Sequence, residues 1–89
     1  MSEGALLLDV RTEEEFEAGH VEGSVHIALD QLTRKYTTLQ QDIPLVVVCE
    51  SGIRSEQATQ FLINKGYKAY NGGSWSFFIT SSVDLNLNS

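Results

Sequence analysis

Apolar positions first cluster at residues 5–10, where a run of Ala, Leu and Val is broken only by Asp9. A short run without alternation suits a strand covered on both faces. Thr12 followed three residues later by Glu15 predicts a capping box, with Glu13, Glu14 and Glu15 at the positive end of a short helix that Gly19 closes. Residues 21–28 read as turn and short strand around Gly23. Asp30 is placed to cap a second helix over residues 31–40, where Leu32, Tyr36 and Leu39 recur at near-helical spacing. Pro44 then introduces the clearest strand, Leu45–Cys49, an unbroken β-branched run of the kind found in central parallel strands.

After a short loop containing Gly52, residues 55–65 predict an amphipathic helix with Ala58, Phe61 and Leu62 on one stripe and Gly66 as its stop. A short strand at 67–70, a turn at Asn71-Gly72-Gly73 and a last helical turn at 75–79 follow. The tail alternates apolar and polar residues from Val83 to Leu87, the pattern of an edge strand or of a frayed terminus. Strand and helix alternate, so the chain reads as one α/β domain over residues 1–89, with its core in residues 5–79 and a mostly parallel sheet.

Composition agrees: of 89 residues, 42% are apolar and 20% charged, with one Pro and seven Gly, which excludes collagen-like and disordered classes. Six basic against twelve acidic side chains give a net charge of −6, arguing against a nucleic-acid or anionic-membrane partner. The single cysteine, Cys49, excludes an internal disulfide framework and a Cys-rich metal site. No stretch approaches the roughly 18–20 apolar residues of a membrane span, and the start lacks the basic flank of a signal peptide. The expected compartment is the cytoplasm, although a trimmed leader would leave the same start.

The chemistry centres on Cys49, at the carboxyl end of the best strand. Ligands bind outside the carboxyl ends of strands in open α/β sheets. The loop Glu50-Ser51-Gly52-Ile53 and Ser55 can turn successive N–H groups toward the sulfur, Gly52 permitting the tight path. A following helix N-terminus and Arg54 would add positive potential, and cysteines so placed have their pKa lowered toward a thiolate. The site suits a nucleophilic sulfur that holds an anion or carries one covalently. A lone cysteine ending an apolar strand is otherwise a small buried hydrophobe.

Several segments carry a resemblance. Leu7-Leu8-Asp9-Val10-Arg11, Glu15-Phe16 and Gly19-His20-Val21-Glu22-Gly23-Ser24 are similar to the amino-terminal signature of rhodanese domains. Val48-Cys49-Glu50-Ser51-Gly52-Ile53-Arg54-Ser55, with Ala58, Leu62, Gly66, Tyr67 and Gly72-Gly73, resembles their active-site segment and its continuation. The resemblance covers residues 6–78 and is strongest to short single-domain sulfurtransferases. It implies a rhodanese-like fold, a small mostly parallel sheet flanked by helices on both faces. It also implies transfer of a sulfane sulfur from thiosulfate or a persulfide donor, through a Cys49 persulfide, to a thiol or cyanide. No cofactor and no metal are implied. Partners would be these small molecules or a thioredoxin-like or other sulfur-relay protein, with the chain a monomer or a dimer.

In that reading Cys49 and Arg54 are catalytic, Glu50, Ser51, Gly52, Ile53 and Ser55 bind substrate, and Asp9 and Arg11 are structural supports. Four residues separate Cys49 from Arg54, as in sulfurtransferases, where related phosphatases have five. Two alternatives remain: a non-catalytic binding module on the same fold, and a phosphatase or arsenate reductase. His20 is expected in a structural turn and His26 near the short strand. Trp75, Phe77 and Phe78 are expected to pack on the core. Glu50 departs from what an anion pocket favours, since its carboxylate opposes both a thiolate and thiosulfate.

Overall fold

The computed structural model describes residues 4–78, so the alternating tail lies outside the described residues. Four strands form one all-parallel sheet in the order β2-β1-β3-β4: β1 (Leu6–Asp9), β2 (Val25–His26), β3 (Leu45–Cys49) and β4 (Ala69–Ser74). Between them lie α1 (Glu13–Ala18), α2 (Leu32–Lys35) and α3 (Ile53–Asn64). Right-handed crossovers put α1 on one face and the helices of the other two connections on the opposite face. The contact of α3 with the 3-10 turn at Leu29–Gln31 agrees with their sharing a face.

Because side chains alternate along a strand, the two faces have different interiors. Leu8 and Val10, Leu45, Val47 and Cys49, and Ala69 join Ala58 and Leu62 of α3 and Leu32 of α2 in one cluster. Ser55, Ala58, Thr59 and Leu62 are the buried residues of α3, at helical spacing. Phe61, half-buried, meets the ring of Tyr36 edge-on. A Schellman motif ends α3: Gly66 has φ 93°, its N–H bonds Ile63 O, and Tyr67 N–H bonds Leu62 O.

The capping box is present as predicted, with Thr12 Oγ1 accepting from Glu15 N–H and Glu15 Oε1 from Thr12 N–H. Elsewhere the structure corrects the expectations. The continuous helix over 31–40 is instead a 3-10 turn, the single turn of α2 and a second 3-10 turn at Tyr36–Thr38. Asp30 sits inside the first turn and caps nothing. The Tyr67 hydroxyl, shared between Tyr36 O and Leu39 O, satisfies carbonyls that a longer helix would have used. α3 begins at Ile53 rather than Ser55, with Gly52 as its N-cap at φ 100°.

The Asn-Gly-Gly segment is strand rather than turn. β4 runs through it with a bulge, so that Val47 faces Asn71 and Val48 faces Gly73. Gly72 lies so close to β3 that a Cβ would stand 2.7 Å from Val46 Cγ1, and Gly73 has φ 81°. Both positions exclude ordinary side chains, which is why two glycines sit here.

Asp9 and Arg11 are 1% and 2% exposed and form an ion pair at 2.8 Å. Removing the acid would leave a buried guanidinium uncompensated. Asp9→Asn should therefore cost about 3–5 kcal/mol of stability in urea titration. A loss below about 1 kcal/mol would show that the pair contributes nothing beyond a surface contact.

Candidate active site

β3 delivers Cys49 to the sheet's carboxyl edge with its side chain fully buried on the α3 face. Gly52, in the left-handed region, turns the loop so that its N–H reaches Sγ at 2.9 Å. Ser55 N–H, in the first turn of α3, reaches Sγ at 3.3 Å, and Ser55 Oγ lies 3.5 Å away. Burial pushes the Cys49 thiol up. The Ser55 side chain and the N–H groups of Ser55, Gly52 and Ser51 more than offset it, holding the thiol below its usual value. N–H groups of Ser51, Gly52 and Ser55 thus surround the sulfur. No hydrogen bond joins Glu50 or Ile53 to the sulfur among the described residues, and the Ile53 side chain is 70% exposed.

Asn71 belongs to this site and was missed by sequence reasoning, which read it as part of a turn. Its amide uses both ends. Oδ1 accepts from Ser55 Oγ at 2.6 Å and from Gly73 N–H, and Nδ2 donates to Gly52 O and Glu56 Oε1, each at 3.1 Å. The bulge of β4 therefore ties down the two residues whose N–H groups approach the sulfur most closely. Ser55 has one hydroxyl proton and two neighbours that can take it. With Cys49 as a thiol, that proton serves Asn71; a thiolate draws it back to sulfur while Gly73 N–H keeps Asn71 Oδ1 satisfied.

Arg54 faces a carboxylate rather than the sulfur. Its Nη1 and Nη2 donate to Glu15 Oε1 and Oε2 at 2.8 and 3.1 Å, joining the first turns of α1 and α3 across the sheet edge. The Arg54 bond, followed by the Thr12 N–H, lowers Glu15 to about 2, and Arg54 is raised in return. Glu15 is thus more than a solvated first-turn residue; its pairing with a residue 39 positions away left no signal in the sequence.

Asp9 and Arg11 stand behind the site. Asp9 accepts from Arg11 N–H, Nε and Nη2 at 2.8–3.1 Å, and the guanidinium continues to Glu15 O and Gly19 O. Trp75 lies over that guanidinium at 4.1 Å, and its Nε1–H donates to Glu50 Oε1 at 3.1 Å. Glu50, 61% exposed, also stands 3.9 Å from Arg11 Nη1. Gly19 ends α1 in extended backbone, and a Cβ there would meet Trp75 at 3.3 Å. His20 and His26 stack on either side of Phe16 and bond Phe16 O and Arg11 O. No contact joins either imidazole to Cys49 among the described residues. A groove of about 780 Å³, lined by Thr12, His26, Asp30, Lys35 and Arg54 among others, opens beside the site rather than over the sulfur. Among the described residues no group of three His, Cys, Asp or Glu could hold a metal, and no helix is long and apolar enough to cross a membrane.

A family model described as "Rhodanese-like domain" matches residues 1–77. The thiosulfate sulfurtransferase GlpE of Pseudomonas syringae is 37% identical over 65 residues, 73% of this chain and 61% of that protein. The chain spans between 34% and 63% of the length of the first curated relatives it matches. Among solved structures, a rhodanese-related protein from Thermoplasma volcanium superposes with a TM-score of 0.79 at 29% identity, covering 88% of this chain and 79% of its own. A rhodanese with anions from E. coli gives 0.74 at 28% identity, covering 81% and 88%.

Two outcomes are expected. Ser55→Ala removes the largest hydrogen-bond contribution that lowers the Cys49 thiol, so the pH midpoint of its iodoacetamide alkylation moves up; an unmoved midpoint would assign the lowering to the amides alone. Glu15→Gln keeps a capping-box acceptor but loses the ion pair, costing about 0.3–1 kcal/mol at this half-exposed position. Because folding lowers Glu15 from 4.5 to about 2, the pair's stability is complete above pH 4.5 and lost as pH falls through 2. Urea titrations of both proteins should therefore differ at pH 7 and converge progressively as pH falls from 4.5 to about 2.

Proposed function

Because the chain belongs to the rhodanese-like domain family, we propose that it is a sulfurtransferase in which Cys49 is the nucleophile and the carrier of a persulfide. The observation that carries this reading is the set of N–H donors converging on a buried, ionisable sulfur at the end of a central strand. The thiolate attacks the outer sulfur of a donor; the donor's S–S bond breaks and its electrons leave with the departing group. Sulfite leaves thiosulfate in this way, and a thiol leaves a persulfide. The terminal sulfur then rests on donors that already serve an anion, and an external thiol or cyanide removes it. Lacking a second cysteine, this chain cannot resolve the persulfide internally.

Arg54 supports the thiolate through its field while bonded to Glu15, and Asp9 and Arg11 hold the loops in place. Four residues between Cys49 and Arg54 favour a sulfur atom over a tetrahedral oxyanion. The acceptor is a thiol, free or on a sulfur-relay protein, and the working compartment is the cytoplasm. Residues 1–89 are read as one domain.

Intact mass after incubation with thiosulfate, and separately with a small persulfide, tests the reading. Wild type should gain one sulfur atom that cyanide removes, and Cys49→Ser should gain none. The cyanide step separates a persulfide from a sulfinic acid, which has nearly the same mass but does not reverse. Failure to load from either donor would move the assignment to a binding module.

A further inference from the structure

Three hydrogen-bond contacts of Cys49 Sγ, at 2.9, 3.3 and 3.5 Å, belong to Gly52 and Ser55. One side chain from the edge strand β4 holds both residues. Side chains alternate along a strand, so Asn71 shares the α3 face with Ala69, which lies in the core. The bulge follows at once and brings Gly73 N–H to Asn71 Oδ1 at 2.9 Å. The loop packs close against this bulge, since a Cβ on Gly52 would stand 3.5 Å from Gly73 Cα.

Donor and acceptor follow in order from the sulfur outward. A Cys49 thiol donates to Ser55 Oγ, and the serine hydroxyl donates onward to Asn71 Oδ1 at 2.6 Å. Serine has a single proton, which cannot serve Asn71 and a thiolate together. A charged acceptor at position 71 would keep that proton, because hydrogen bonds to carboxylates are the stronger ones. A neutral amide already satisfied by Gly73 N–H can release it.

Building on the sulfurtransferase reading, we propose that Asn71 is a positioning residue for the reacting sulfur: its amide oxygen holds the Ser55 hydroxyl in the thiol and persulfide states and yields it to Cys49 Sγ whenever that sulfur is a thiolate. The hydroxyl then serves both halves of the cycle. It meets the thiolate before attack on a donor, and it meets Sγ again as a leaving group. In that second step the acceptor bonds to the outer sulfur, the bond from Sγ to that sulfur breaks, and its electron pair stays on Sγ. No further oxidant or reductant enters. Asn71 Nδ2, donating to Gly52 O, keeps the nearest N–H in register meanwhile. The charged side chains around this chain of bonds are Arg54 and Glu56 on α3 and Glu50 in the loop, with Glu15 bonded to Arg54 and the Asp9–Arg11 pair at the end of β1. Substitution at Asn71 leaves all of them in place.

Asn71 is exposed, which makes it open to substitution. The test measures the pH midpoint of Cys49 alkylation by iodoacetamide in wild type, Asn71→Asp and Asn71→Ala, each with and without Ser55→Ala. Ser55→Ala raises the midpoint by an amount that reports what the hydroxyl gives the thiolate. That rise should fall at least about twofold in Asn71→Asp, which retains the proton, and grow in Asn71→Ala, which has no competing acceptor. A charge acting through space, or a looser loop, would shift the midpoints yet leave the rise equal in all three, and this overturns the proposal. Discharge of the loaded protein by cyanide gives a second reading. It should slow about threefold in Asn71→Asp, because a more basic thiolate leaves more slowly, and change little when Ser55 is already alanine. An unchanged discharge rate in Asn71→Asp also overturns the proposal. If no donor loads Cys49, the sulfurtransferase reading fails while the alkylation series still decides the role of Asn71.

Discussion

A guanidinium with almost no access to water organises this small domain. Arg11 leaves the end of β1 and turns back onto Asp9, whose carboxylate neutralises it and also takes the Arg11 N–H. What remains of its donor capacity reaches Glu15 O and Gly19 O, so both ends of α1 are tied to one side chain. Its carbonyl accepts from Nε2 of the His26 ring on β2, and its flat face carries Trp75, whose backbone N–H is anchored to the end of β3 through Cys49 O. Three strands and a helix thus depend on a charge whose burial is tolerable only because its partners are complete.

A second burial is resolved differently. Cys49 has no counter-ion in hydrogen-bond contact; desolvation opposes its ionisation and is overcome by dipoles, two of them backbone N–H groups held at 2.9 and 3.3 Å. Dipoles of this kind favour an anion without forming an ion pair. Their aim depends on Gly52, which takes a backbone angle closed to most residues, and on Asn71, which holds Gly52 O and the Ser55 hydroxyl from the neighbouring strand.

What could be read from the sequence was what local chemistry decides. Thr12 and Glu15 announce their capping box because both partners lie within one helical turn, and Leu45–Cys49 announces a central strand by an unbroken β-branched run. Gly66 likewise marks the end of α3. The misreadings fall where a distant partner decides. Asn71-Gly72-Gly73 has the composition of a turn, but its pairing with β3, against which Gly72 lies close to Val46 and Val48, keeps the segment in the sheet. Residues 31–40 have helical spacing, yet the helix gives way to a 3-10 turn where the Tyr67 hydroxyl meets Tyr36 O and Leu39 O. Arg54 was legible as a cation beside Cys49; that Glu15 would claim it was not.

Glu15 shows how these local and distant demands meet. One carboxylate accepts from the Thr12 N–H and from both terminal nitrogens of Arg54, and so sits at the first turns of α1 and α3 together. An acid near helix starts is favoured by their dipoles as well as by the guanidinium. In this arrangement two of the five N–H donors of Arg54 are committed to Glu15, and the guanidinium meets that carboxylate rather than the sulfur. A full cation at this edge therefore joins the first turns of two helices, while the N–H groups that meet the sulfur are peptide groups. Those peptide groups converge on one atom, the buried sulfur at the end of β3.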